Sequence, residues 1–289
     1  METYLRDLVA TQAAQGLDSS ALVHTSSRSL WSVNERYSAS ERTLSVTRAA
    51  VWFRLLFTPI SPTFPLLLNR IIKEKRSDLL HMHLPNASAF WALVLPRARR
   101  LPWVVHWHAD VLTTKQNVAF RIFYRFYKHL ESAMLRRSKA IIVTSPPYLD
   151  YSLPLSQFRH KCHIVPLGID PATLPYVRKK PRVDNQQAPL RVLAIGRLTY
   201  YKGFEHLISA AAICDDIEVH LVGAGELEDN LKKLVKKLGL QHRVTFYGYL
   251  PKTALAEQLV SCDCLCLPST ERTEAVSYTH LTLPTNREV

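Results

Sequence analysis

Arg197 and Lys202 fall just after a strand end in the stretch LAIGRLTYYKGFEHLISA (193–210). The strand is expected to stop at Gly196, and a helix opens close to Gly203. A guanidinium pairs with two phosphate oxygens at once, an ammonium adds a point charge, and a helix N-terminus adds free N–H groups. Together they form a cradle for a diphosphate, able to stabilise it as it departs without a metal ion. Taken alone, the same two cations read equally well as ordinary loop residues. A second turn, Gly223 to Gly225, lies between a strand and a helix in HLVGAGELEDNLKKLVKKLGL (220–240). Glu274 stands at a strand exit in CLPSTERTEA (266–275), a stretch that begins like the acidic loop of a substrate site. His106 and His108 share one strand face in LPWVVHWHADV (101–111), where either reads structurally as a core or rim histidine. Cys262, Cys264 and Cys266 also share a strand face, but no CxxC or histidine partner follows. A buried strand face is therefore expected there rather than a zinc site.

Short apolar runs alternate with amphipathic stretches, the pattern of parallel α/β units. Strands are expected at 21–25, 78–83, 103–108, 140–145 and 162–168, with helices at 1–15, 62–76, 86–99, 117–137 and 146–157. The segment PYVRKKPRVDNQQAPL (175–190) is polar and proline-bounded, as a linker is. The rhythm then restarts, with strands at 191–196, 217–223, 243–248 and 263–268 and helices at about 201–214, 226–239 and 251–261. The expected fold class is α/β, with two doubly wound, Rossmann-like domains facing a cleft. They are bounded as 1–170, a linker at 171–189, and 190–275. Ligands in such sheets sit beyond the carboxyl ends of the strands.

Bulk composition narrows the partners. Of the 289 residues 47% are hydrophobic and 21% charged, enough to build cores and too apolar for a disordered chain. No apolar run is long enough to span a bilayer, and the acidic start METYLRD does not resemble a secretory signal. Five cysteines, three of them in CDCLC, suit reduced intracellular thiols, so a cytoplasmic location is expected. The net charge of +13 is lopsided. Residues 1–170 carry 22 Lys/Arg against 11 Asp/Glu, a balance of +11, and the remainder carries 15 against 13, only +2. An anionic partner for the first half follows, unless the excess serves solubility alone. The basic-aromatic stretch NVAFRIFYRFYKHLESAMLRRSKA (117–140) reads either as a helix resting on anionic lipid or as an amphipathic helix with a solvated basic face. No nucleic-acid reading element appears, so no nucleic-acid partner is expected.

The order GR-x-x-x-x-KG, VGAGE, VTFYG and CLPS, closing on Glu274, resembles the donor domain of family 4 retaining glycosyltransferases of GT-B fold. HWHADV, IVTSPPY and HIVPLGID resemble that family's first domain. The resemblance implies a retaining transferase that moves a hexose-type sugar from a UDP- or GDP-sugar to a glycan or lipid-linked acceptor in cell-surface polysaccharide synthesis. No cofactor or metal is implied. Arg197 and Lys202 would hold the donor diphosphate beside Gly196, with Gly223 and Gly225 in the adjoining turn. Tyr249 and Leu250 would border the base, Glu274 would face the donor sugar, and His108 would lie near the transferred sugar. Retention would rest on leaving-group stabilisation and front-face attack, with no carboxylate nucleophile. Ser145 is a weaker site candidate.

Two departures accompany the resemblance. The family's second glutamate should fall at position 282, which is Thr282, and only Gly16 precedes residue 168 among eight glycines, where the family has a first strand and a glycine pair. The string VSYTHLTLPT (276–285) can be written codon by codon as a sequencing adapter, so residues 276–289 are expected to be non-native and the chain a fragment with little or no transfer activity of its own. The competing expectation is a non-catalytic GT-B relative that binds anionic lipid or a partner through its basic half, peripheral at the inner membrane face. A sugar-nucleotide epimerase is disfavoured by the KG and GAGE spacings.

Overall fold

In the computed structural model the described residues are 2–25, 27–39, 42–55, 58–111, 118–168 and 188–270. The chain divides into two compact units, Met1–Val165 and Pro166–Val289. Residues 171–187 of the expected linker and the whole expected tail, and with them Glu274 and Thr282, fall outside the described residues.

The first unit opens with α1 (Glu2–Ala14) and β1 (Ser20–His24), followed by β2 (Val33–Ala39) and β3 (Arg42–Ala49). Strand β1 pairs in parallel with β3, and β2 pairs with β3 antiparallel, giving the order β1-β3-β2. Val9 and Ala13 of α1 close one face by packing on Ala21 and Val46. A two-stranded ribbon, β4 (Phe53–Leu55) and β5 (Thr58–Ile60), and α2 (Phe64–Glu74) lead to a second sheet. That sheet is wholly parallel, in the order β6 (Leu80–Leu84), β7 (Trp103–Trp107), β8 (Ala140–Val143), β9 (Cys162–Ile164). One face of its centre is apolar: Trp103, Val105, Trp107, Ile141 and Val143 are buried there, as a covered face of a parallel sheet requires. Helices α3 (Pro96–Arg100), α4 (Val118–Arg137) and α5 (Pro146–Tyr151) connect these strands.

Three sequence expectations change here. The first-half strands do not join one sheet among the described residues, because β2 and β3 pair with each other antiparallel and β3 takes β1 as its other neighbour. Its polar-rich alternation, VNERYSA against RTLSVTRA, carries too little hydrophobic signal to stand out. The helix expected at 86–99 is a 3₁₀ segment, Ala87–Leu93, plus the short α3, because Pro96 lacks an N–H and holds Leu95 extended. The helix expected at 146–157 stops at Tyr151, just before Leu153-Pro154, and a 3₁₀ turn at Ser156–Lys161 follows.

The second unit is one parallel sheet in the order β12-β11-β10-β13, built from β10 (Leu190–Ile195), β11 (Ile217–Val222), β12 (Val244–Gly248) and β13 (Cys264–Leu265). Helices α6 (Phe204–Ala211), α7 (Glu228–Lys237) and α8 (Lys252–Ser261) alternate with them. Leu198, Phe204, Ile208 and Leu231 pack with Ala194, Val219 and Leu221 in its core. The cysteine strand departs from expectation: β13 spans only two residues, both exposed, and Cys266 alone of the three thiols is packed against this core. With its pairing so brief, the strand offers no continuous buried face for period-two residues.

Candidate active site

In the second unit the loop after β10 is bound to the loop after β11 along its whole length. Gly196 N–H donates to Val222 O (2.9 Å), Leu198 N–H to Ala224 O (3.1 Å), and Leu227 N–H to Leu198 O (3.0 Å). Glycine is required for so close an approach. A Cβ on Gly223, whose φ is +133°, would stand 1.9 Å from Gly196 O, and one on Gly225 would stand 2.3 Å from Leu198 O. On the other side Gly203, at φ +64°, would place a Cβ 2.2 Å from Pro268 O, and Thr270 N–H donates to Tyr201 O (2.9 Å). Three strand exits are thereby fastened around one turn.

Arg197 projects from that turn with its side chain 64% exposed, and its Nη2 donates to Glu226 Oε2 at 3.1 Å. Thr199 Oγ1 donates to the other carboxylate oxygen at 2.5 Å. Burial pushes the Glu226 carboxyl up, but the Thr199 hydroxyl, its own N–H and the Arg197 guanidinium together hold it below the usual range. Glu226 is thus an ionised brace for Arg197 that sequence reasoning passed over, although it is the acidic residue of the GAGE turn. Lys202 lies half-buried with its Cε and Cδ over the Cα of Gly196, so both cations belong to one strand exit. Helix α6 starts two residues later, capped by Gly203. Tyr249 is 86% exposed just past β12 and Leu250 is half-buried beside it. The pair follows the strand whose Gly248 O accepts from Gly223 N–H (2.8 Å), which connects it to the same set of loops.

In the first unit the histidines expected at a strand exit are joined by two more. Strands β6 and β7 run in parallel with His83 opposite His106, so His81, His83, His106 and His108 share one face. His106 is 1% exposed and His108 7%. Their rings are stacked, 4.3 Å apart at 6°, and His83 Nδ1 lies 2.8 Å from His108 Nε2. Tyr4 from α1 meets His83, His106 and His108 edge-on. Burial first, then the neighbouring imidazoles, lowers His83, His106 and His108 to about 3, so all three are neutral near pH 7. His81 and His83 were not singled out from the sequence, although the alternation in LHMHL places them on one face.

The loop behind His108 is anchored by Asp110, a second residue the sequence reading missed. Its Oδ1 accepts from Trp107 Nε1 (2.8 Å), Tyr148 Oη (2.6 Å) and Ser152 Oγ (2.8 Å). Three donors on one carboxylate oxygen tie the exit of β7 to α5. Ser145 sits at the N-cap of α5, half-buried, without a side-chain cap bond.

Comparison with known proteins places the chain in a family. Residues 1–168 match the model described as glycosyl transferase 4-like domain, and residues 178–281 match glycosyl transferases group 1. The D-rhamnosyltransferase WbpZ of Pseudomonas aeruginosa is 29% identical over 180 residues, covering 60% of this chain and 44% of that protein. The O-antigen chain mannosyltransferase C of Escherichia coli is 25% identical over 238 residues, covering 80% and 61%. The chain spans about half the length of the curated relatives it matches. Among solved structures, sucrose-phosphate synthase from Thermosynechococcus elongatus superposes with a TM-score of 0.69 at 19% identity, covering 92% of this chain and 69% of that one. Anabaena HepE in complex with UDP-glucose gives 0.53 at 22% identity, covering 74% and 58%. The fold is that of the GT-B enzymes, and the chain belongs to the glycosyltransferases that join a glycosyl transferase 4-like domain to a group 1 domain.

Proposed function

We propose that the protein is a retaining glycosyltransferase that moves a hexose-type sugar from a UDP- or GDP-sugar to a glycan or lipid-linked acceptor in cell-surface polysaccharide synthesis. The observation that carries this reading is the placement of Arg197 and Lys202 at one strand exit, on a turn that Gly203, Gly223 and Gly225 hold against its neighbours. A guanidinium already oriented by Glu226 can meet a diphosphate without first losing side-chain freedom. As the glycosidic bond lengthens, negative charge accumulates on the departing diphosphate. The two cations and the α6 N-terminus offset that charge with no metal at the phosphates. Tyr249 and Leu250 border the base, Glu274 faces the donor sugar and His108 the transferred sugar. The names of two relatives, a D-rhamnosyltransferase and an O-antigen chain mannosyltransferase, support transfer of a hexose-type sugar in polysaccharide synthesis. HepE was solved with UDP-glucose, which supports the donor class.

The test is nucleotide binding to the 289-residue chain by calorimetry in EDTA. UDP or GDP should bind at least about tenfold more tightly than AMP. Arg197→Ala should weaken that binding by about 10- to 100-fold, the range expected for hydrogen bonds to a charged group. Equal affinity for UDP, GDP and AMP would instead favour a non-catalytic GT-B relative.

A membrane contact is a second element of the proposal. On α4, Ile122, Phe126 and Leu130 are exposed at four-residue spacing, with Arg125 and Lys128 exposed beside them. An apolar stripe flanked by cations suits the surface of an anionic bilayer holding a lipid-linked acceptor. No helix among the described residues is long and apolar enough to cross a membrane.

A further inference from the structure

The four-histidine face of β6 and β7 contains more ligating capacity than a sugar contact at His108 uses. His81 Nε2 and both ring nitrogens of His106 are buried with no hydrogen-bond partner. A buried imidazole nitrogen without a partner is costly, and three on one face call for a common explanation. One candidate ligand atom from each of His81, His83 and His106 lies within 4.8 Å of the others. The rings are near-parallel, with His81 at 11° and His83 at 23° to His106.

We propose that His81, His83 and His106 form a binding site for one divalent d-block cation of the zinc class. Two residues at i and i+2 on one strand and one opposite on its neighbour present three imidazoles to a single point above the sheet. An all-imidazole set suits zinc, copper or nickel, while magnesium and calcium require oxygen ligands. Nitrogens bound at about 2.0–2.1 Å to one ion stand no more than about 4.2 Å apart. Because the rings are near-parallel and each ligating lone pair lies in its ring plane, they turn about χ2, a soft torsion in histidine, to meet at one ion. The His83–His108 hydrogen bond fits the same arrangement. With Nδ1 of His83 engaged by His108, its Nε2 is the atom left for the metal. His108 then acts as the outer partner that fixes the tautomer of a ligating imidazole. The ion lies on residues of the first unit alone and uses none of those in the diphosphate cradle. It satisfies His81 Nε2 and one of the two orphaned nitrogens of His106, and it braces β6 against β7. A three-histidine set leaves one coordination position for water or a small anion.

The thiols of Cys262, Cys264 and Cys266 are rival donors by sequence, and the test separates them from the histidines. Cobalt(II) is titrated into the untagged, reduced 289-residue chain while visible d–d absorption is followed, and zinc is used to displace it. Saturation at one equivalent is expected, with loss of at least about tenfold in affinity for His81→Gln and for His83→Gln. His220→Gln, which changes a histidine bonded to Tyr247 in the second unit, should leave binding unchanged. Far-UV circular dichroism checks the fold of each variant. Should both substitutions disrupt folding, zinc-edge X-ray absorption on the unaltered chain decides alone. A nitrogen-only first shell with imidazole scattering supports the site, and a sulfur shell overturns it. Absence of saturable binding, or equal binding by His81→Gln and His83→Gln, also overturns it.

Discussion

Arg197 and Glu131 show how burial and pairing set what a single side chain can do. Arg197 is exposed, so its bond to Glu226 adds little stability, and its value is orientation. Glu131 is the opposite case, a carboxyl 3% exposed on the inner face of α4, beside an open groove of about 520 Å³ lined in part by Tyr124, Lys128 and Phe158. Burial, then the Asp110 carboxylate, pushes Glu131 up to about 8 from 4.5. A raised carboxyl binds its proton more tightly in the fold than in the unfolded chain. Its contribution is therefore full below the unfolded value of 4.5 and is lost as pH rises through 4.5 to about 8. Glu131→Gln removes that loss: a gain of roughly 1–3 kcal/mol is expected at pH 8 and almost none at pH 4.5. Thermal melts of both chains across that range measure the difference, and parallel curves would refute the assignment.

At the scale of elements, the second unit is organised by contacts between strand exits more than by strand length. Strand β13 spans two residues, yet the loop after it is locked to the Lys202 turn through Gly203 and the Thr270–Tyr201 hydrogen bond. Gly223→Ala inserts a Cβ into Gly196 O at an unfavourable φ, so a loss of about 2–4 kcal/mol is expected. Gly239→Ala, at φ +70° with open space around it, meets only the left-handed penalty of about 1–2 kcal/mol. The two units can be followed separately, because all five tryptophans lie in the first. In denaturant, Gly223→Ala should shift the far-UV transition of the second unit and leave the tryptophan fluorescence transition in place. A shared shift would mean that the units unfold as one.

At the scale of the whole molecule, charge divides the chain as clearly as topology does. Residues 1–170 carry +11 of the +13, and part of that excess borders the apolar stripe on α4. Cosedimentation with phosphatidylglycerol vesicles should exceed that with phosphatidylcholine alone and fall as salt is raised to about 1 M, where the screening length is about 3 Å. Replacing Arg125 with Ala should weaken it about fivefold, the equivalent of about 1 kcal/mol for one basic residue at an anionic surface. Phe126→Ser should reduce it at all salt concentrations, since the apolar part is not screened. Vesicle binding indifferent to both changes would remove α4 from the contact.

Much of this protein is written locally. Alternating apolar runs and amphipathic stretches place most of the parallel strands and helices of both units to within a few residues, because buried parallel strands are apolar along their length. The cations at 197 and 202 and the glycines at 203, 223 and 225 are equally legible, since tight strand-to-helix turns restrict residue type. The β2–β3 hairpin was not legible, because a polar-rich antiparallel pair differs little in pattern from a loop. Nor was the partnership of Glu226 with Arg197, 29 residues apart, or that of Asp110 with Tyr148 and Ser152. The histidine face needed the tertiary structure most. Only the register of β6 on β7 sets His83 opposite His106, and a one-residue slip would turn one pair of imidazoles to the other side of the sheet. Periodicity is a property of one segment, whereas register and burial arise between segments, and the electrostatics of these sites follow from the latter.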